Sequence, residues 1–180
     1  MEKPEELYVV KDRIQLLEEL MDEYGESLTR VAITYVKDRF IAEDIIQESF
    51  LKAYKKLNDF EGKSSYHTYL YRIVINGCHD YLRSWNHRKV QLTDKIPLIN
   101  SGNDTSEQFL IDKSRNSELG QQVLKLSIKL REVIILYYYQ DFSIEEIAEV
   151  LQVSKNTVKT RMFRARKKLE SQLQESGWEW

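Results

Sequence analysis

The stretch Ser143–Leu169, SIEEIAEVLQVSKNTVKTRMFRARKKL, decides how this chain is read. Its first four residues have the S-x-x-E spacing of a capping box, so a helix is expected to begin right after Ser143. Ile144, Ile147, Ala148 and Leu151 then recur at helical spacing and give that helix one apolar stripe. Gln152, Val153 and Ser154 supply a tight turn and a second N-cap. The helix that follows is expected to bury Val158, Met162, Ala165 and Leu169. Two short helices crossing over a shared core make a helix-turn-helix. Many such turns carry glycine where this chain has Gln152, because the backbone there favours the left-handed region; a side chain costs about 1 kcal/mol.

The polar side of the second helix points to a ligand. Thr157, Arg161, Arg164 and Lys168 form one stripe, flanked by Lys155, Lys159 and Arg166, with Phe163 beside them. No acid occurs between Lys155 and Lys168. A basic helix face can be plain solvated surface. Joined to a capped helix and a tight turn, it suits the DNA major groove, where Arg and Lys donate to guanine edges or grip phosphates. Arginine is the better base reader, since its fork is bidentate.

Composition sets the frame around this segment. The chain has 180 residues, 42% of them hydrophobic and 31% charged, enough for one ordinary domain or two small ones. With six glycines and two prolines, breaks are few and helices dominate. A net charge of -2 excludes a uniformly basic coat, although charge is segregated between an acidic beginning and the basic helix. One cysteine, Cys78, rules out an internal disulfide and suits a reducing cytoplasm. No apolar run approaches the roughly 20 residues that span a bilayer, and the acidic N-terminus lacks a signal-peptide pattern. A cytoplasmic protein with no direct membrane insertion is expected.

Upstream, apolar spacing predicts two amphipathic helices between Ile14 and Lys37, broken near Gly25, and another over Glu43–Leu57. A loop is expected from Asn58 to Ser65, then a long helix over Tyr66–Arg88. Periodicity fades after Val90 in a stretch rich in Asp, Asn, Ser and Gly, which reads as a linker. Further helices are expected near Ser117–Leu126 and Ile128–Tyr139, with Tyr137, Tyr138 and Tyr139 as partly buried packing residues. The fold class is therefore all-α. Two small helical domains, 1–90 and 114–180, are joined by a flexible linker over 91–113, and the second is a helix-turn-helix.

Two faces of the first half could carry function. Asp44, Gln47, Glu48 and Leu51 share one helix face, either solvated surface or a docking face for a basic partner. On the long helix, Arg72, Asn76, His79 and Arg83 form a stripe, continued by His87, Arg88 and Lys89. Phe60, Tyr66, Tyr69 and Tyr71 crowd its start, suiting either core packing or stacking on single-stranded bases. Metal or nucleophilic chemistry through His67, Cys78, His79 and His87 finds no support in spacing. Cys78 and His79 point about 100° apart on a helix, and no C-x-x-C or H-E-x-x-H occurs. No catalytic residue, metal or cofactor is expected. A phosphorylatable receiver domain would need alternating strands and helices, which the first half lacks.

Three segments together resemble one family. Ala42–Tyr54 looks like the core-polymerase-binding helix of extracytoplasmic-function (ECF) RNA polymerase sigma factors, in the sigma-70 family. Tyr69–Asn76 resembles their promoter-melting helix, and Asn156–Leu169 their recognition helix. The family commonly has Trp at Tyr69, Gly at Asn156 and Arg-Ser at Lys159-Thr160. The resemblance implies a bacterial transcription initiation factor that binds core RNA polymerase, recognises minus-thirty-five and minus-ten elements and promotes DNA melting. It implies docking on the clamp of the largest subunit through Asp44, Gln47, Glu48 and Leu51, and contact with the flap of the second subunit. Asn58, Phe60, Tyr66, Arg72, Asn76, Arg83 and Arg88 would serve the minus-ten element and melting. Lys155, Thr157, Lys159, Thr160, Arg161, Phe163, Arg164 and Lys168 would meet the minus-thirty-five duplex. An anti-sigma factor is the other implied partner.

Overall fold

The computed structural model describes residues 4–56, 65–91 and 117–175. Among them every regular element is a helix: α1 (Pro4–Val36), α2 (Arg39–Lys56), α3 (Tyr66–Gln91), α4 (Ser117–Lys125), α5 (Ile128–Tyr138), α6 (Ile144–Val150) and α7 (Lys155–Glu175). The all-α expectation is met. The expected loop over Asn58–Ser65, save Ser65, and the expected linker, save Gln91, which ends α3, fall outside the described residues.

One expectation is overturned. Gly25 does not break the first helix, which runs on as a single 33-residue element. Glycine inside a helix costs about 1 kcal/mol relative to alanine. Burial on both sides of it outweighs that: Leu20, Leu28, Val31, Ala32 and Tyr35 all lie in the core. Thr29 Oγ1 also donates to the Gly25 carbonyl at 2.8 Å. The helix stops where Lys37 turns left-handed (φ 57°), and the Asp38 carboxylate accepts the Ile41 N–H to open α2. Ser65 opens α3 similarly, accepting the Thr68 N–H at 3.1 Å.

The helices α1, α2 and α3 pack on one another. A Cβ on Gly77 would stand 3.0 Å from Ile45 Cγ2, so the bare backbone there lets α3 close against α2. Cys78, the next residue, is fully buried, and burial pushes its thiol up to about 12. The helices α4 to α7 form a second cluster around α7, and α3 meets α6 across the boundary. Apolar packing is thus continuous from one cluster to the other.

Helix α5 is central to the second cluster. Six consecutive residues, Arg131 to Leu136, are buried, so polymer surrounds it on all sides. Arg131 reaches back to the Leu124 carbonyl at 2.7 Å, satisfying an acceptor near the end of α4. Tyr137 and Tyr138, expected to be partly buried, are instead exposed and meet edge to face, while Tyr139 is half-buried. The helix ends too near the surface to cover them.

Candidate nucleic-acid interface

The turn between α6 and α7 is built as its residues dictate. The Ser143 hydroxyl accepts the Glu146 N–H at 3.2 Å, and the Glu146 carboxylate accepts the Ser143 N–H at 2.9 Å, a complete capping box. The Ser143 hydroxyl, donating at 2.7 Å, and the Ser143 N–H hold the Glu146 carboxyl below its usual range. At the other end Gln152 adopts φ 54°, and Val153 N–H returns to the Ala148 carbonyl at 3.0 Å. Ser154 then caps α7 by accepting the Thr157 N–H at 3.1 Å. Val158, Met162, Ala165 and Leu169 are all buried against the cluster, as their spacing predicts.

The outer face of α7 carries Lys159, Thr160, Phe163, Arg164 and Lys168, all exposed. Phe163 stands 68% exposed, an aromatic that does no packing work within the described residues. Arg164, Lys159 and Lys168 make no ion pair among the described residues. Lys155 is exposed but tied to Glu145 at 2.8 Å, and this bond holds the Glu145 carboxyl below its usual range. Thr157 is half-buried and shares a hydrogen bond with Ser154.

Arg161 departs from the expected stripe. Its side chain is only 19% exposed and its Nη1 donates to Glu132 Oε1 at 2.7 Å. The geometry of the helix explains this. Residues 157, 161, 164 and 168 lie just one position, about 100°, from the buried stripe 158, 162, 165 and 169, so a long side chain there can turn outward, as Arg164 and Lys168 do, or inward. Arg161 sits between buried Val158 and Ala165 and turns inward. Arg166 also leaves the reader, its guanidinium lying 5.7 Å from the centre of the Tyr138 ring.

In the first half, Asp44, Gln47, Glu48 and Leu51 are exposed together on α2, with Glu48 also paired to Lys52. Phe40, 80% exposed, lies on the same stripe eleven residues before Leu51, which is 59% exposed. Phe40 was not among the expected residues, although a large apolar side chain in register with a polar face marks it. On α3, Asn76 is exposed and Arg83 pairs with Asp80 at 3.0 Å. Arg72 reaches Glu149 of α6 at 3.7 Å, and Tyr66 is half-buried. Tyr69 and Tyr71 are buried packing residues, not stacking platforms. Asn58 and Phe60 fall outside the described residues, and for Arg88 only the helical backbone is described.

Comparison with known proteins matches both halves. Residues 20–88 match the family model for Sigma-70 region 2, and residues 117–169 that for Sigma-70, region 4. The ECF RNA polymerase sigma factor SigW of Bacillus subtilis is 30% identical over 165 residues, covering 87% of this chain and 88% of SigW. The chain belongs to the ECF sigma factors of the sigma-70 family. The sigma factor is also 31% identical to the B. subtilis RNA polymerase sigma factor YlaC, over 89% of this chain and 93% of that one. Its fold matches the sigma factor RpoE of Bartonella quintana, solved with the anti-sigma factor NepR, at a TM-score of 0.69 and 23% identity, covering 87% and 96% of the two chains. As a sigma factor it acts in transcription initiation, as a regulator and not an enzyme.

The two halves of the sigma factor meet in an aromatic joint. His67, at the start of α3, stacks on Phe142 with ring centres 4.3 Å apart, and Tyr71 meets both rings edge on. The single hydroxyl proton of Tyr71 is shared between Gln140 Oε1 of the second half and Ser27 Oγ of α1. Burial lowers the His67 pKa, opposed by the carboxylates of Glu146 and Glu23. The joint therefore accommodates the neutral ring. An unfolded chain takes up this proton near pH 6.5, the native joint only at lower pH, so the contribution of His67 is intact above that range and declines as pH falls through it. Between about pH 7 and pH 5.5, melting temperature is expected to fall further in the wild type than in His67→Phe. Parallel pH profiles would remove His67 from this role.

Proposed function

We propose that the sigma factor reads the minus-thirty-five duplex with the outer face of α7 and serves the minus-ten element with the first half. On this reading the chain divides into a domain over 1–90, a linker over 91–113 and a domain over 114–180. The observation that carries the reading is the exposed set Lys159, Thr160, Phe163 and Arg164 on a helix whose opposite stripe is buried. A helix so held fits the major groove with its cations toward bases and phosphates. Lys155 and Lys168 extend the grip to the backbone, and Thr157 supports the turn at the groove edge.

The two elements lie about 25 base pairs apart, about 85 Å at ~3.4 Å per base pair. The stretch 92–116 can reach at most about 80–90 Å when extended, so one chain can hold both. Asn76, Arg83 and Arg88 would lie along the separating strand, with Arg72 near it, while Asn58, Phe60 and Tyr66 hold an extruded base. Melting is then driven by binding: the factor favours open DNA only through higher affinity for it. Extruding a base costs a few kcal/mol, which pocket contacts and stacking of ~1–3 kcal/mol per base offset.

Core polymerase docks on α2. Phe40 and Leu51 offer apolar anchors at the two ends of a polar face made by Asp44, Gln47 and Glu48, which suits the basic clamp of the largest subunit. The second half would meet the flap of the other large subunit. An anti-sigma factor is proposed as a further partner, since the solved relative RpoE is held by one. Transcription with bare core polymerase over a random-promoter library tests the reading. Initiation above core alone, from promoters sharing two spaced elements, is expected. Recovery of promoters with no common upstream element would sink the α7 assignment.

A further inference from the structure

We propose that Arg161 is a positioning residue of the duplex reader: gripped by Glu132, it fixes the rotation of α7 about its own axis and touches no DNA. This rests on the reading of α7 as that reader. The apolar stripe of the helix sets the rotation only coarsely. Hydrophobic burial has no direction, and among Val158, Met162, Ala165 and Leu169 the methionine is pliant and the alanine small. Base reading demands more. A side-chain tip stands about 6 Å from the helix axis, so a roll of about 10° carries it about 1 Å. Recognition groups need to be held to about 0.5 Å.

Ties on the two flanks supply what the stripe lacks. Arg161 and Arg166 lie about 140° apart around α7, and both reach α5. Arg161 Nη1 donates to Glu132 Oε1 at 2.7 Å, Arg166 lies over the Tyr138 ring, and Lys155 pairs with Glu145 of α6. The three ties are unequal. Lys155 and Glu145 are both more than half exposed, and a pair so placed contributes little. Tyr138 is half exposed, which weakens its cation contact as well. Glu132 is 2% exposed and Arg161 19%, so their bond is directional and shielded from water. The other Glu132 oxygen faces the seam between the two halves, 3.3 Å from the Tyr35 hydroxyl and 3.1 Å from His79 Nε2. Of these bonds, only that to Arg161 lies within the second half. Arg164 follows three residues later, less than one turn away, so an angle fixed at Arg161 is passed directly to it and to Phe163.

The test uses full-length protein with core polymerase, on library-selected promoters and copies altered one base pair at a time in the upstream element. Preference for the intact promoter is a ratio, so a smaller folded fraction does not alter it. Glu132→Gln/Arg161→Met removes both charges together, leaving net charge unchanged and no ion buried alone. Its preference is expected to fall about 5- to 10-fold at every upstream position that α7 reads, with the salt slope of initiation unchanged. Arg161→Gln, which leaves Glu132 with Tyr35 and His79, is expected to lose the same preferences. Undiminished preference in both variants would overturn the proposal and leave the pair a purely structural one. A loss confined to one position, or a salt slope lowered by about 1, would overturn it by showing that Arg161 itself contacts DNA. No upstream preference even in wild type would overturn the α7 reading and the proposal with it.

Discussion

Arg164→Ala is expected to cut initiation at library-selected promoters about 5- to 150-fold, the loss that follows from one bidentate arginine–guanine pair of ~1–3 kcal/mol. Arg164 projects from the exposed face of α7 beside Phe163 and makes no ion pair among the described residues, so nothing within the fold depends on it. Its melting temperature should therefore stay at the wild-type value, since exposed substitutions of this kind move stability by about 0.5 kcal/mol or less. Single-round transcription with core polymerase measures the effect. The loss should be confined to promoters that keep one particular base pair, with discrimination at that position relaxed. Lys168→Ala provides the contrast, weakening all promoters alike and lowering the salt slope by about 1. Undiminished, equally selective initiation by Arg164→Ala would show that α7 does not read bases through this residue.

Tyr71→Ala is expected to cost about 3–5 kcal/mol in urea unfolding, since Tyr71 is the largest fully buried side chain among the described residues. The ring is fully buried where α3 meets the second half, in edge contact with both His67 and Phe142. Its removal leaves a cavity that neither half can fill by itself. Tyr71→Phe keeps the ring and loses only the hydrogen bonds to Gln140 and Ser27, so a cost of about 1 kcal/mol is expected. The difference between the two variants isolates the packing at the joint. A loss below about 1 kcal/mol for Tyr71→Ala would mean that the joint contributes little to stability.

What the sequence disclosed and what it concealed follow from the range of the interactions. The capping box of Ser143 and Glu146, the left-handed Gln152 and the buried stripe of α7 are set by residues within a few positions of one another, and each was legible. Gly25 reads as a break because its local cost of about 1 kcal/mol is visible in the sequence, whereas the burial gained on both sides of it is not. Arg161 was placed on the DNA face because its partner, Glu132, lies 29 residues away. A signal is present, since Arg131 and Glu132 adjoin the apolar run Val133–Leu136, and buried charges need partners. The seam itself, built from pairs such as Tyr35 and Glu132, 97 residues apart, has no trace in periodicity. Of the expected DNA-facing stripe on α3, Asn76 and Arg83 remain at the surface while Arg72 and His79 are engaged across the seam.

The fully buried Cys78 bears on how such a factor can be informed about its surroundings. A thiol held near 12 is thiolate in only about one molecule in 10⁵ at neutral pH, and peroxide or disulfide reagents attack the thiolate. With one cysteine in the sequence, no intramolecular cystine can form within it. A buried, protonated thiol is a poor entry point for an oxidative signal.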